Sequence, residues 1–195
     1  MLINCSFFKE ILNHIYHMKI IRQLFEIILR KRQPQDLDYD LNAAVISLIC
    51  SIGIGYLVYS SLPQISQPFI YNVGMTCLQA LGIYGFLSIN KKATRFIQTI
   101  TAIFGTTVIL QILTIGIGKI EILAIFGFAI TMWNLILAIF IIRSALECST
   151  VKAVFITLGY HLFMGIMMAT LFPKFPVELQ SIIEAANNAA LSKGT

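Results

Sequence analysis

Charge is what this chain has least of. Only 12% of its residues are Asp, Glu, Lys or Arg, about half the share usual in soluble domains, while 57% are hydrophobic and the mean hydropathy is +0.83. The scarcity is uneven. No charged residue lies between Asp40 and Lys91, between Arg95 and Lys119, between Glu121 and Arg143, or between Lys152 and Lys174. A soluble core does not run charge-free over such lengths, whereas bilayer-spanning helices do.

Chemistry-bearing motifs are equally scarce. There is no Gly-rich phosphate loop, no HExxH, no rhomboid-like Ser/His pair on separate spans and no pair of intramembrane aspartates, which argues against nucleotide, zinc-protease and intramembrane-protease chemistry. Nor does a transporter-like pair of broken helices stand out. The four cysteines, Cys5, Cys50, Cys77 and Cys148, have no metal-ligand spacing, and disulfides are not expected among them. His14 and His17 could face one another at i, i+3, but no third ligand is near and a solvated face is the simpler reading. The sequence therefore predicts a non-enzyme with no catalytic residue, no metal and no cofactor. The net charge of +5 lacks the groove-reading or aromatic elements of a nucleic-acid surface, so no nucleic-acid partner is expected.

What is present is apolar length. A spanning helix needs roughly 20 apolar residues, and five stretches provide them: 41–62, 69–89, 96–117, 122–142 and 153–172. Pro63 and Pro68, then Asn90-Lys91-Lys92, then Gly116 and Gly118, then Pro173 and Pro176 punctuate them, as turn residues should. Backbone groups cannot face lipid unpaired, and barrel-like alternation is absent, so each stretch is expected to be helical. The predicted fold is an all-α, five-transmembrane-helix bundle over 41–172. An amphipathic interfacial segment (1–40) precedes it and a short non-cytoplasmic tail (173–195) follows.

Lys and Arg set the expected orientation. Lys9, Lys19, Arg22, Arg30, Lys31 and Arg32 precede the first span, Lys91, Lys92 and Arg95 fill the second loop, and Arg143 and Lys152 flank the fourth. The other side has Lys119, Lys174 and Lys193. A cytoplasmic N-terminus and a C-terminus on the far side of the membrane follow. Charges of both signs before the first span predict no cleavable signal peptide. Arg30, Lys31, Arg32, Lys91, Lys92 and Arg95 are then candidates for contact with anionic lipid headgroups.

The segment before the first span reads as two helical pieces. Over 18–31 the polar residues Lys19, Arg22, Gln23, Glu26 and Arg30 share one face, and Ile20, Ile21, Leu24, Phe25, Ile27 and Ile28 the other. Over 7–17 the apolar face points nearly the opposite way, so a break is expected near 17–19. Arg30-Lys31-Arg32, Pro34, and Asp36, Asp38 and Asp40 then form a basic–acidic elbow: either a plain interfacial turn or a docking site for a cytoplasmic partner.

Inside the spans, His161 is the clearest ionisable group. It either hydrogen-bonds to a neighbouring helix or serves a proton relay or ligand, although no acid lies at its depth. Gln98 and Gln111 in the third span and Asn134 in the fourth complete a candidate polar site, serving as interhelical glue or as the lining of a wet path. In the first span Ala43, Ser47, Ser51 and Gly55 recur every four residues, a small-residue ridge that lets another helix approach, from this chain or a second copy.

Two stretches carry a family resemblance. Arg30-Lys31-Arg32-Gln33-Pro34 ends a helix just before the first span, and Trp133 in the fourth span is followed by Ser149-Thr150-Val151-Lys152-Ala153. With the five-span topology these resemble the Yip (Ypt-interacting protein) family in its broad, bacterial-inclusive sense, over about residues 20–172. The Asp-Leu-Tyr-Gly-Pro element of eukaryotic members is only echoed by Asp36-Leu37-Asp38-Tyr39, which speaks against GTPase binding. The resemblance implies a non-enzymatic adaptor or assembly protein of a bacterial inner membrane, with lipids and other membrane proteins or itself as partners. The alternative is a small transporter or channel subunit using the polar third span and His161.

Overall fold

A computed structural model describes residues 19–60, 65–117 and 124–174, and beyond them 177, 180, 181, 183 and 184. Cys5, His14, His17 and the expected break near 17–19 lie outside these residues. Among the described residues there is no strand. A helix over 19–28 (α1) and a 3₁₀ turn, Pro34–Asp36, lead into α2 (Leu41–Ser60), α3 (Pro68–Ile89), α4 (Phe96–Ile117), α5 (Ala124–Leu146) and α6 (Thr150–Leu171). The last five are each long and apolar enough to cross a bilayer, and the chain is a multi-pass membrane protein.

The helix limits follow local chemistry. Pro68 opens α3 at its first turn, where the missing N–H costs nothing. Ser149 caps α6 by accepting from the Lys152 N–H at 3.3 Å. Three helices at one end stop on charged residues in the left-handed region where glycine is usual: Arg30 (φ 55°), Lys91 (φ 57°) and Glu147 (φ 52°). Each stop is wrapped the same way. Lys31 N–H donates to Glu26 O, Lys92 N–H to Leu87 O and Cys148 N–H to Arg143 O.

Two limits differ from the sequence reading by three residues or more. α5 runs past residue 142 to Leu146, and α6 begins at Thr150, before residue 153. Arg143 and Lys152 are therefore helical residues at the membrane edge, where long basic side chains carry their charge beyond an apolar stem.

α4 is the central helix: 44% of its span is buried inside the protein, against 11% for α5. α2 packs along α4 through Ala44, Ile100 and Phe104, and α5 and α6 close the other side around Ile83, Leu87, Ala145 and Leu146. Ala43, Ser47, Ser51 and Gly55 are all buried. Their ridge is used within the chain: Ala43 meets Ile20 and Leu24, and a Cβ on Gly55 would strike the Asn72 amide, which donates to Ile52 O at 2.6 Å.

α1 is part of this bundle. Ile27 is fully buried among Ala102, Leu110, Leu137 and Ile141, and Leu24 fills the space a Cβ on Gly105 would need. The two-faced wheel becomes three-sided. Gln23, expected on the polar face, is buried with Ile20, Leu24, Ile27 and Ile28, while Ile21, Phe25 and Leu29 are exposed. A helix laid in a groove of a membrane bundle has a protein side, a lipid side and a charged side, and only the last requires polarity.

Candidate functional site: a polar cavity at mid-span

The elbow holds itself together with its own charges. Asp36 accepts from the Gln33 N–H at 3.2 Å, and Asp40 from the Asn42 N–H at 2.9 Å, capping α2. Asp38 pairs with Lys19 at 2.7 Å. Hydrogen bonding to Lys19, assisted by Gln23 and the field of Arg32, holds its carboxyl below the usual range. Arg32 pairs with Glu26 at 3.0 Å.

Of the six proposed headgroup contacts, Lys92 and Arg95 both reach Glu147 across the loops. The Arg30 guanidinium lies over the Phe140 ring, 5.3 Å from its centroid. Lys31 and Lys91 are exposed.

The four intramembrane candidates separate. Gln98, near the start of α4, donates to Gln35 O at 3.0 Å and Leu37 O at 2.8 Å, fastening the elbow to the bundle. Gln111 keeps a buried Oε1 with no partner among the described residues and is not among the residues that line the cavity described next. Asn134 and His161 come together. They border a cavity of about 260 Å³ whose other polar walls are Gln79, Thr107, Thr131 and Tyr160, with Ile103, Leu135 and Ala138 among the apolar ones. Gln79, Thr107, Asn134 and His161 each sit at or beside the midpoint of their helices, so the cavity lies at mid-span.

The buried stripe of α6 is Ala153, Thr157, Tyr160, Met164 and Met168, and His161 stands at its flank, exposed. Its Nδ1 is 2.7 Å from Thr157 O. A carbonyl only accepts, so this geometry assigns the proton to Nδ1 and leaves Nε2 an acceptor in the neutral ring. Tyr160 stands edge-on to the imidazole, with centroids 5.6 Å apart, and donates to Gln79 O at 3.2 Å. Thr107 Oγ1 makes a long 3.5 Å contact with Asn134 Oδ1, and the Asn134 amide nitrogen has no partner among the described residues. The cavity is not sealed, because Thr131, Met132 and His161 remain exposed at its mouth on α5 and α6.

Its walls carry amide donors, an imidazole acceptor and hydroxyls, and among the described residues no carboxylate or cation. Such a lining suits a neutral hydrogen-bonding group, and among the described residues it offers no acid partner to His161. Among the described residues no His, Cys, Asp and Glu group could hold a metal. Sequence reasoning did not single out Thr131 or Tyr160 as site residues. Their signal is positional, since they lie within a turn of the midpoints on the same helices as Asn134 and His161. Comparison with family models, curated proteins and solved structures finds no match.

Proposed function

We propose that the chain is a non-enzymatic membrane adaptor or assembly protein. In this reading its bundle pairs with a helix of another membrane protein, or of a second copy, along the mouth between α5 and α6. One observation carries it: His161 and Thr131 are exposed at and near mid-span beside a cavity lined by Asn134, Thr107 and Gln79. Polar capacity left facing hydrocarbon is costly, and an incoming helix with a complementary polar side chain relieves that cost. The Yip resemblance supports the same class of function. The bias of Lys and Arg supports an elbow at the cytoplasmic face, and the resemblance alone points to a bacterial inner membrane.

The test is association in mild detergent, by co-purification and by self-crosslinking, for wild type and for His161→Leu combined with Asn134→Leu. Each interhelical hydrogen bond contributes roughly 0.6–2 kcal/mol, so each one lost should weaken association about three- to thirtyfold. Association that is absent in wild type, or unchanged in the double variant, would sink the proposal.

A second reading has its own observation: a neutral, hydrogen-bonding cavity at the midplane is where secondary transporters hold substrate. In it the chain is a small transporter or channel subunit. Solute flux in proteoliposomes that is indifferent to His161→Ala would exclude that form.

A further inference from the structure

A second cavity lies where α5 meets the elbow. Its volume is about 280 Å³, and Gln33, Gln35, Phe140, Arg143, Ser144 and Glu147 line it. Its neutral polar groups are partly matched to one another. The one Ser144 Oγ–H lies within reach of the side-chain oxygens of both Gln33 and Gln35, and Gln35 Nε2 donates to Gln33 Oε1. Gln33 Nε2 is left without a partner among the described residues.

The charges around it do not cancel. Glu147, its one acid, is held by both Lys92 and Arg95, which leaves a cation in excess at that wall. Arg143 has no carboxylate partner among the described residues, and Arg30 lies over the Phe140 ring that forms another wall. Guanidinium groups present forked donors suited to phosphate oxygens. The cavity sits one turn from the end of α5, where apolar span gives way to charged elbow. Below it Phe140 and Ile136 stand on one face of the helix at i, i+4, and Ile136 is 42% exposed. A basic, donor-rich cup above an apolar track matches an amphiphile with an anionic head.

We infer that this cavity seats the phosphate of an anionic phospholipid, with Arg143 and Arg30 as its cationic arms, Gln33 as a neutral donor and an acyl chain along Phe140 and Ile136. The site is separate from the mid-span cavity and does not depend on the function proposed for it.

The probes are phosphatidylglycerol, phosphatidylcholine and inorganic phosphate, each added to the delipidated protein in detergent, with retention read by native mass spectrometry. Phosphatidylglycerol should be retained over phosphatidylcholine. Arg143→Gln and Arg30→Gln should each weaken retention about fivefold, the usual effect of one interfacial charge. Arg143→Lys, which keeps the charge, should lose less, and Lys174→Gln at the other end of the bundle should lose nothing. Equal retention of the two lipids, or equal loss in Arg143→Gln and Lys174→Gln, would overturn the site. Inorganic phosphate that displaces the lipid at equal concentration would overturn the assignment to a lipid.

Discussion

The elbow end of this bundle and its midsection use polar residues in opposite ways. At the elbow end polar groups are largely matched inside the chain: Gln98 to the carbonyls of Gln35 and Leu37, Asp38 to Lys19, and Glu147 to Lys92 and Arg95. Closer to mid-span, the Trp133 indole N–H donates to Ile28 O at 3.2 Å and ties α5 to the end of α1. Water at a membrane surface would satisfy most of these groups anyway, so their net stabilisation is modest. What the bonds do is fix where α1 and the elbow sit. At mid-span, where no water competes and each hydrogen bond matters more, Asn134 and His161 keep unused capacity beside an open cavity. A protein that matches most polar groups at its wet end within the chain, Arg143 and Gln33 excepted, and leaves polarity unmet at its dry centre is held in place chiefly by the one and completed by something else at the other.

The elbow end is most easily undone at α1. Ile27→Ala opens a void at a fully buried position and should cost about 2–4 kcal/mol. Reversible unfolding in denaturing detergent measures it, and a loss below 1 kcal/mol would mean that α1 is not part of the folded core. Gly55→Leu comes next. It displaces the Asn72 amide from Ile52 O and overpacks α2 against α3, at about 1–3 kcal/mol. A variant of wild-type yield and stability would remove the ridge as an internal packing device. Lys91→Gly runs the other way. Relief of a left-handed non-glycine residue, set against the added backbone freedom of glycine, should stabilise by about 0.5–1 kcal/mol. A drop in the melting temperature would show that the Lys91 side chain outweighs its backbone strain. By contrast, His161→Leu should leave stability within about 0.5 kcal/mol, since its ring is exposed and its one bond is to its own helix.

The five spans were legible because charge-free length is a direct consequence of crossing a bilayer. The ends of α5 and α6 were not, because Arg143 and Lys152 look like loop residues until their apolar stems are placed at the membrane edge. The small-residue ridge was legible as a spacing, but the partners that fill it, Asn72 and α1, come from elsewhere in the chain. The candidate site was half legible. Gln98, Gln111, Asn134 and His161 give the same signal in composition, a polar group in an apolar run, yet depth and rotation about the helix decide what each does. Gln98 meets elbow carbonyls because it lies less than one turn into α4. Asn134 and His161 share a cavity because α5 and α6 bring their midpoints together. Gln23 was misplaced for a related reason: a helical wheel separates two environments, and α1 has three.

The smallest effect tests the wet end alone. The hydrogen bond from Lys92, then that from Arg95, hold the Glu147 carboxyl below its ordinary value of 4.5. The folded protein therefore binds the Glu147 proton less readily than the unfolded chain does. The stability from these pairs is fully present above the unfolded value and is lost as pH falls through the lower, folded one. The pairs are surface-exposed, so the gain is small and salt weakens it. Melting temperatures of wild type and Glu147→Gln should differ slightly at neutral pH and low salt, and converge as pH drops below about 4. At high salt the neutral-pH difference should shrink as well. A difference that instead grows on acidification would mean that Glu147 acts on the bundle as its protonated form, and that the elbow end is not held by charge.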